Sequence, residues 1–308
     1  MITVLAGGVG GAKFLAGLAK VIDPGEITVI VNTGDDIKLH GLHISPDLDT
    51  VCYTLSELAD PVRGWGIADD SYHCLDQLAQ LGEAAWFRIG DRDLATHLLR
   101  SRALHEGLTL SEITSHLAAR MGVQATILPM TDAFVPTFVD TASGRVHLQE
   151  YFVREQCRPV VHGFHFTSIE QCQPAPRVLE SIRIADAVIL APSNPFISIG
   201  PILAVPGMRE ALSKARSRIS AISPIIQGRA VKGPAAAMLR QMGCQVSAVG
   251  VAEMYRDIVA LFVVDRLDAA LSSRIEALGM RVLITETVMT GPAEKQALAR
   301  AVLEAMNQ

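Results

Sequence analysis

Short apolar segments alternate with segments of helical pattern along most of this 308-residue chain, and that alternation constrains its fold. Strands that are joined by helices form mainly parallel sheets with helices on both faces. Eight segments have the apolar, β-branched character of buried strands: Met1–Leu5, Ile27–Val31, Thr126–Leu128, Ala187–Ala191, Ile219–Ile222, Val246–Val251, Leu261–Val264 and Arg281–Ile284. We therefore predict an α/β fold with a mainly parallel sheet.

The middle of the chain departs from this alternation. Phe134–Asp140 and Arg145–Phe152 have strand character, and Ser-Gly at 143–144 suits a hairpin turn between them. We predict a small inserted β-rich segment at about 130–175, within a single domain that spans 1–308. The sheet is expected to combine strands from both ends of the chain.

Composition excludes several classes of protein. A net charge of -5 gives no electrostatic reason to expect nucleic-acid binding. No apolar run approaches the roughly 20 residues of a membrane helix, and the N-terminus lacks the basic region of a targeting signal. The five cysteines are scattered and form no CxxC pair, which argues against a disulfide scaffold or a zinc site. We expect a cytoplasmic protein that binds neither nucleic acid nor membranes.

A glycine run follows the first predicted strand and opens a predicted helix. Its glycines are Gly7, Gly8, Gly10 and Gly11. At such a junction backbone N–H groups and the helix dipole favour an anion. Lys13 stands where a Rossmann fingerprint has its third glycine, and Phe14 stands where a Walker A motif has Ser or Thr. Nucleotide or phosphate binding of another kind is favoured, and a tight turn without a ligand is the alternative.

Polar loops follow several of the predicted strands, and in open α/β sheets ligands bind outside the carboxyl ends of the strands. These loops are GGVGG (7–11), NTGDD (32–36), APSNP (191–195) and SPIIQGRAVKGP (223–234). The last loop carries Arg229 and Lys232 between glycines. We expect the four loops to gather at one edge of the sheet.

Two acidic motifs lie at predicted helix starts. Ser45 and Pro46 begin a helix that we expect to run to about Pro61, with Asp47 and Asp49 in its first turn. Carboxylates there suit the helix dipole, but they could also hold Mg²⁺, which prefers oxygen ligands. RIGDRD (88–93) is either an exposed, salt-bridged helix start or a place where an Arg faces phosphate or a polar ring edge.

Two other chemistries lack support in the sequence. The histidine pairs at 40 and 43 and at 162 and 165 have no third ligand nearby and no HExxH motif. No G-x-S-x-G elbow is present either, so an α/β-hydrolase triad is not indicated.

Nine motifs in order resemble one family over nearly the whole chain. They are GGVGGAKFLAGL, VNTGDD, ISPDLDTVCYTL, WGIADD, RIGDRDLATH, ILPMTD, APSNPFISIGPIL, SPIIQGRAVKGPA and GVAEMY. Together they resemble the family of 2-phospho-L-lactate transferases, also called the CofD-like family. This family includes phosphoenolpyruvate transferases. These enzymes begin side-chain assembly on the deazaflavin coenzyme F420.

The resemblance implies a Rossmann-like core, a homodimer and dependence on Mg²⁺. It also implies a reaction, in which a guanosine-diphospho acid donates its phospho-acid to the terminal ribityl hydroxyl of the deazaflavin FO. GMP leaves and a phosphodiester forms. The acid could be phospholactyl, phosphoenolpyruvyl or phosphoglyceryl, and no residue pattern distinguishes these three.

Site residues carry over from the resemblance by position. Asp49 and Arg88 match the positions that contact FO, and Asp49 could accept the proton of the attacking hydroxyl or orient it. The glycine run with Lys13, and Ser193 with Asn194, match the side that binds guanosine diphosphate. Asp47 and Asp49 are the predicted metal ligands.

Two rival functions remain at this point. Proteins of the gluconeogenesis-factor type share a glycine-rich start and bind nucleotide sugars in a regulatory role, but SPDLDT and GDRD favour the transferase. A nicotinamide-dependent oxidoreductase could use Asp35 or Asp36 to bind a ribose, although the absent third glycine argues against it.

Overall fold

The computed structural model describes all residues from 1 to 308. Its strands are β1 (Ile2–Ala6), β2 (Ile27–Val31), β3 (Ile37–Leu39), β4 (Leu42–Ile44), β5 (Thr126–Pro129), β6 (Thr137–Thr141), β7 (Gly144–His147), β8 (Val161–Phe166), β9 (Ala187–Leu190), β10 (Ile219–Ile222), β11 (Ile225–Ile226), β12 (Arg229–Ala230), β13 (Leu261–Asp265) and β14 (Arg281–Thr285). Its α-helices are α1 (Gly8–Leu18), α2 (Pro46–Leu55), α3 (His73–Gln80), α4 (Asp91–His105), α5 (Leu110–Arg120), α6 (Val178–Ile184), α7 (Ile199–Ala204), α8 (Met208–Lys214), α9 (Ala235–Gln241), α10 (Ala248–Tyr255), α11 (Ser272–Glu276) and α12 (Pro292–Met306). None of these helices combines the length and the apolar character that a bilayer crossing requires.

Seven strands form one sheet in the order β14-β13-β10-β9-β1-β2-β5. Every pairing in this sheet is parallel, which confirms the predicted α/β class. The first strand lies inside the sheet between β9 and β2, and the last strand, β14, forms an edge. Strands from both ends of the chain therefore share the sheet, as predicted.

The sheet is covered on both faces because alternate residues of its central strands point to opposite sides. Val4 and Ala6 pack into an apolar cluster with α1, α2 and α12, whereas Leu5 packs into another with α6, α7, α8 and α10. The strands are buried on both faces and so read as continuous apolar runs in the sequence.

Outside the insert, one segment was predicted as the wrong type of structure and one helix was predicted to end too late. Val246–Val251 was predicted as a strand, but α10 begins at Ala248, and the Ser247 hydroxyl accepts a hydrogen bond from the Gly250 N–H at 3.3 Å. This helix is buried nearly all round, so its sequence shows no polar face to mark a helical period. Helix α2 ends at Leu55 and does not reach Pro61.

The inserted segment forms a three-stranded antiparallel sheet in the order β7-β6-β8. The predicted strand Arg145–Phe152 ends at His147, and the chain then makes a π-helical turn over Glu150–Arg154. Leu148 and Tyr151 pack beside Ile197 and Met238 of the main fold. The insert therefore lies against the loop that follows β9.

Helices α1 and α12 pack closely at Gly17, and this contact generates a stability prediction. A β-carbon at Gly17 would overlap the Lys295 carbonyl group. Gly17→Ala should lower the free energy of unfolding by about 1–3 kcal/mol through overpacking, although Ala is the better helix former. Urea unfolding followed by circular dichroism would measure the change.

The matched control is Gly25→Ala, because a β-carbon there meets its nearest neighbours at ordinary contact distances of 3.4 Å or more. It should shift the unfolding free energy by less than about 0.5 kcal/mol. Equal stability of the two variants would contradict the close packing of α1 on α12.

Candidate active site

A cleft of about 550 Å³ lies at the carboxyl edge of the large sheet. It is lined by residues of all four polar loops that the sequence places at this edge. Nine of the ten predicted site residues line it: Gly7, Gly8, Gly10, Lys13, Asp47, Asp49, Arg88, Ser193 and Asn194. Gly11 is the exception.

The glycine run packs tightly against the loop that follows β9. A β-carbon at Gly10 would overlap the Pro192 carbonyl, and one at Gly11 would lie 2.9 Å from Ser193 Oγ. Ser193 Oγ donates a hydrogen bond to the Gly7 carbonyl at 2.8 Å. Gly11 was predicted to bind phosphate, but it is buried and does not line the cleft, and its small size serves this packing.

Asn194 shapes its own loop. Its Oδ1 accepts a hydrogen bond from the Phe196 N–H at 2.9 Å and faces the Ile197 N–H at 3.4 Å. Its Nδ2 lies 3.3 Å from the Met238 sulfur. The side chain therefore has a local structural role, and a contact with nucleotide stays a prediction.

Asp47 belongs to an acidic cluster that also includes Asp35. Asn32 Nδ2 joins them, since it lies 2.9 Å from Asp47 Oδ2 and 3.4 Å from Asp35 Oδ1. Burial raises the pKa of Asp47 to about 7. Burial, and then the charge of Asp47, raise the pKa of Asp35 well above its ordinary value. Gln149 Nε2 also donates to Asp35 Oδ2 at 3.2 Å, so both partners of the two carboxylates are neutral amides. Two buried carboxylates with no cationic partner form a site that a cation would stabilise.

Asp49 faces a different environment, although it lies in the same helical turn. The Arg100 guanidinium holds both of its carboxylate oxygens, with Nη1 3.0 Å from Oδ2 and Nη2 bonded to Oδ1. Both side chains are buried. Burial acts to lower the pKa of Arg100, but the charge of Asp49 outweighs it and the pKa is raised. Asp49 is therefore neutralised by a fixed cation.

Helix α4 adds further polar groups behind Asp49. His97 Nδ1 lies 3.6 Å from Asp49 Oδ2, and His97 Nε2 lies 3.4 Å from Asp93 Oδ1. The Tyr53 hydroxyl donates to Asp93 Oδ1 at 2.6 Å. Burial acts to raise the pKa of Asp93, but the contacts with His97, Tyr53 and Arg100 outweigh it and lower the pKa.

Sequence reasoning missed Asp93, His97 and Arg100 as site residues. Their spacing of four and three residues places them on one face of a helix. Three ionisable side chains on one helix face were therefore the available signal for a polar cluster.

Some residues of the RIGDRD motif have structural roles, and others line the cleft. Asp70 accepts hydrogen bonds from the Arg92 and Asp93 N–H groups at the start of α4. Asp91 accepts from the His73 and Cys74 N–H groups at the start of α3. Asp91 thus caps a neighbouring helix instead of binding a ligand.

Arg88 lines the cleft, where its guanidinium lies 4.2 Å from the centroid of the Tyr72 ring. The aromatic residues that line the cleft itself are Tyr53, Trp65, Trp86, Phe87 and Phe152. The insert supplies Phe152 and also Gln149, whose Nε2 donates to the Asp35 carbonyl at 3.1 Å. The cleft therefore combines an apolar aromatic wall with the acidic cluster and the glycine run.

Comparison with known proteins identifies relatives over the full length. The family model for 2-phospho-L-lactate transferase CofD matches residues 2–303. The 2-phospho-L-lactate transferase of Methanosarcina acetivorans is 40% identical over 300 residues, which cover 97% of this chain and 97% of the relative. The phosphoenolpyruvate transferase of Streptomyces coelicolor is 42% identical over 308 residues, which cover 98% and 97%.

A solved structure with the same fold is the crystal structure of a UPF0052 family member from Bacillus halodurans. It superposes with a TM-score of 0.66 and covers 98% of each chain, at 18% sequence identity. At that identity the likeness concerns the fold alone.

The buried pair of Asp49 and Arg100 generates a stability prediction. Arg100→Met should lower the free energy of unfolding by about 3–5 kcal/mol, because it leaves the Asp49 carboxylate buried without its partner. Adding Asp49→Asn should restore part of that loss. Urea unfolding at neutral pH would measure the free energy of unfolding of the unchanged protein, of Arg100→Met and of the double variant.

Arg102→Met is the matched control on the same helix. Arg102 is 72% exposed and lies 3.6 Å from Glu106, so its loss should change stability by less than about 1 kcal/mol. If Arg100→Met and Arg102→Met both changed the free energy of unfolding by the same small amount, the buried pair would have no structural role.

Proposed function

The chain belongs to the 2-phospho-L-lactate transferase CofD family, and on that premise we propose that it transfers a phospho-acid from a guanosine-diphospho donor to the deazaflavin FO. GMP is the leaving group, and the product is a precursor of coenzyme F420. The relatives named 2-phospho-L-lactate transferase and phosphoenolpyruvate transferase support a phospho-acid as the transferred group. The homodimer and the cytoplasmic location stay predictions.

One observation carries this proposal. A single cleft holds the glycine run with Lys13, which suits a diphosphate, and an aromatic wall with Trp65, Trp86 and Phe87, which suits a planar ring. A reaction between a nucleoside diphosphate and an aromatic alcohol needs both surfaces within reach of each other.

The reaction breaks the O–H bond of the ribityl hydroxyl and forms a bond between that oxygen and the phosphorus that carries the acid. The bond from this phosphorus to the bridging oxygen breaks, and GMP leaves with that oxygen. Asp49 lines the cleft and is the group proposed to accept or orient the hydroxyl proton. Arg100 holds the Asp49 carboxylate in one orientation, since it bonds both oxygens.

The acidic cluster fits a magnesium ion. Asp35 and Asp47 are buried carboxylates with raised pKa values that line the cleft beside the glycine run, and they would hold the ion. Both Asp49 oxygens are already bonded to Arg100, so the geometry favours Asp35 over Asp49 as the second ligand. When bound, the ion would neutralise charge on the donor diphosphate.

A transfer assay tests the proposed reaction. The protein is incubated with FO, Mg²⁺ and donors made in situ from phospholactate, phosphoenolpyruvate or phosphoglycerate. Mass spectrometry should detect the phosphodiester with one donor, together with one GMP for each product molecule. Chelation of Mg²⁺ should abolish turnover, and added Mg²⁺ should restore it. A folded protein that binds a UDP-sugar but yields no product would favour the regulatory alternative.

Asp49→Asn tests the role of the carboxylate. Turnover should fall by about 10²–10⁴, the range for loss of a general base. The variant loses stability because Arg100 is left buried without its partner, so turnover is measured at a temperature at which circular dichroism shows the variant to be folded. Asp132→Asn is the control, since Asp132 accepts from the Ser111 N–H at the start of α5 and does not line the cleft. Near-normal turnover of Asp49→Asn would remove Asp49 from the mechanism.

A further inference from the structure

Lys232 belongs to the loop of residues 223–234, which we term the hairpin loop because it contains β11 and β12. Its Nζ donates a hydrogen bond to the main-chain carbonyl of Arg63 at 2.8 Å. Lys232 lines the same cleft as Lys13 and the glycine run. A charged side chain thus bridges two loops at the mouth of the proposed donor site.

The acceptor of this bond belongs to a segment that rests on the glycine run. Asp60 holds the segment, because its Oδ1 accepts from the Val62 and Arg63 N–H groups at 2.8 and 2.9 Å. Gly64 has φ +76°, and a β-carbon there would lie 2.6 Å from Cγ1 of Val9. The segment that carries the Arg63 carbonyl is therefore held against Val9 of the glycine run.

Neither Lys13 nor Lys232 forms an ion pair with a carboxylate. Burial, and then the charge of Lys13, lower the pKa of Lys232. Two neighbouring ammonium groups without an anion repel each other. The acidic residues of the cleft are bonded elsewhere, with Asp49 on Arg100 and Asp47 on Asn32. An anion bound beside both lysines would remove this repulsion.

We propose that Lys232 is a diphosphate-binding residue, which exchanges the Arg63 carbonyl for a phosphate oxygen when the donor binds. A phosphate oxygen is a stronger acceptor for an ammonium group than a neutral carbonyl. This proposal rests on the proposed function for the identity of the donor. It assigns the hairpin loop a direct part in holding the donor against the glycine run.

Binding of GDP tests the proposal without requiring turnover. Isothermal titration calorimetry would compare the unchanged protein with Lys232→Met, Lys232→Arg and Lys295→Met. Lys232→Met should weaken GDP binding about 10- to 100-fold, the range for a charge-assisted hydrogen bond. Lys232→Arg keeps the charge and should recover most of the affinity. The affinity for FO, which has no phosphate, should not change.

Lys295 is the matched control for a general effect of positive charge. Burial, and then the charge of Lys13, lower the pKa of Lys295 too, yet Lys295 does not line the cleft. Lys295→Met should change GDP affinity less than twofold. Equal losses for the two methionine variants would show a general field effect and overturn the direct contact.

The remaining outcomes also separate the two proposals. Full GDP affinity in Lys232→Met overturns the role of Lys232 and leaves the transferase untouched. A protein that binds GDP through Lys232 but forms no product with any donor keeps the contact and loses the proposed reaction. A protein that does not bind GDP overturns both.

Discussion

The parallel pairing of β1 with β2 on one side and β9 on the other determines where chemistry can take place. The loops that follow these strands leave the sheet side by side, and Ser193 bonds to Gly7 to join two of them. They approach so closely that a β-carbon at Gly10 would overlap Pro192. The glycine run is thus required by the edge of the sheet itself, because larger residues would not fit between these two loops.

Much of the fold could be predicted because local signals and tertiary packing agree. Strands β2 and β10 have the predicted bounds, Ile27–Val31 and Ile219–Ile222. Prediction failed where packing removed the signal, as in α10, whose polar face is missing because the helix is buried on almost every side. An apolar run of six residues is compatible with either a buried strand or a buried helix.

Two kinds of signal predicted residues that line the cleft: the resemblance pointed to Asp49 and Arg88, and the strand ends pointed to the polar loops. The loops at 7–11, 32–36 and 191–195 follow parallel strands, so a topological rule brings them together. Arg100 is 51 residues from Asp49 in the sequence and lies in the middle of a helix. No local sequence pattern therefore predicts their contact. The insert was predicted as a separate β-rich segment, but nothing in its sequence shows that Gln149 reaches the Asp35 carbonyl.

Helix geometry explains how Asp47 and Asp49 come to differ. Two residues along an α-helix rotate a side chain by about 200°, so Asp47 turns toward Asn32 and the glycine run while Asp49 turns toward α4. Asp47 meets another carboxylate and no fixed cation, whereas Asp49 meets Arg100. A carboxylate that lacks a protein cation is suited to hold a metal ion. One that is already neutralised is suited to align a hydroxyl group, because its orientation is fixed before the substrate arrives.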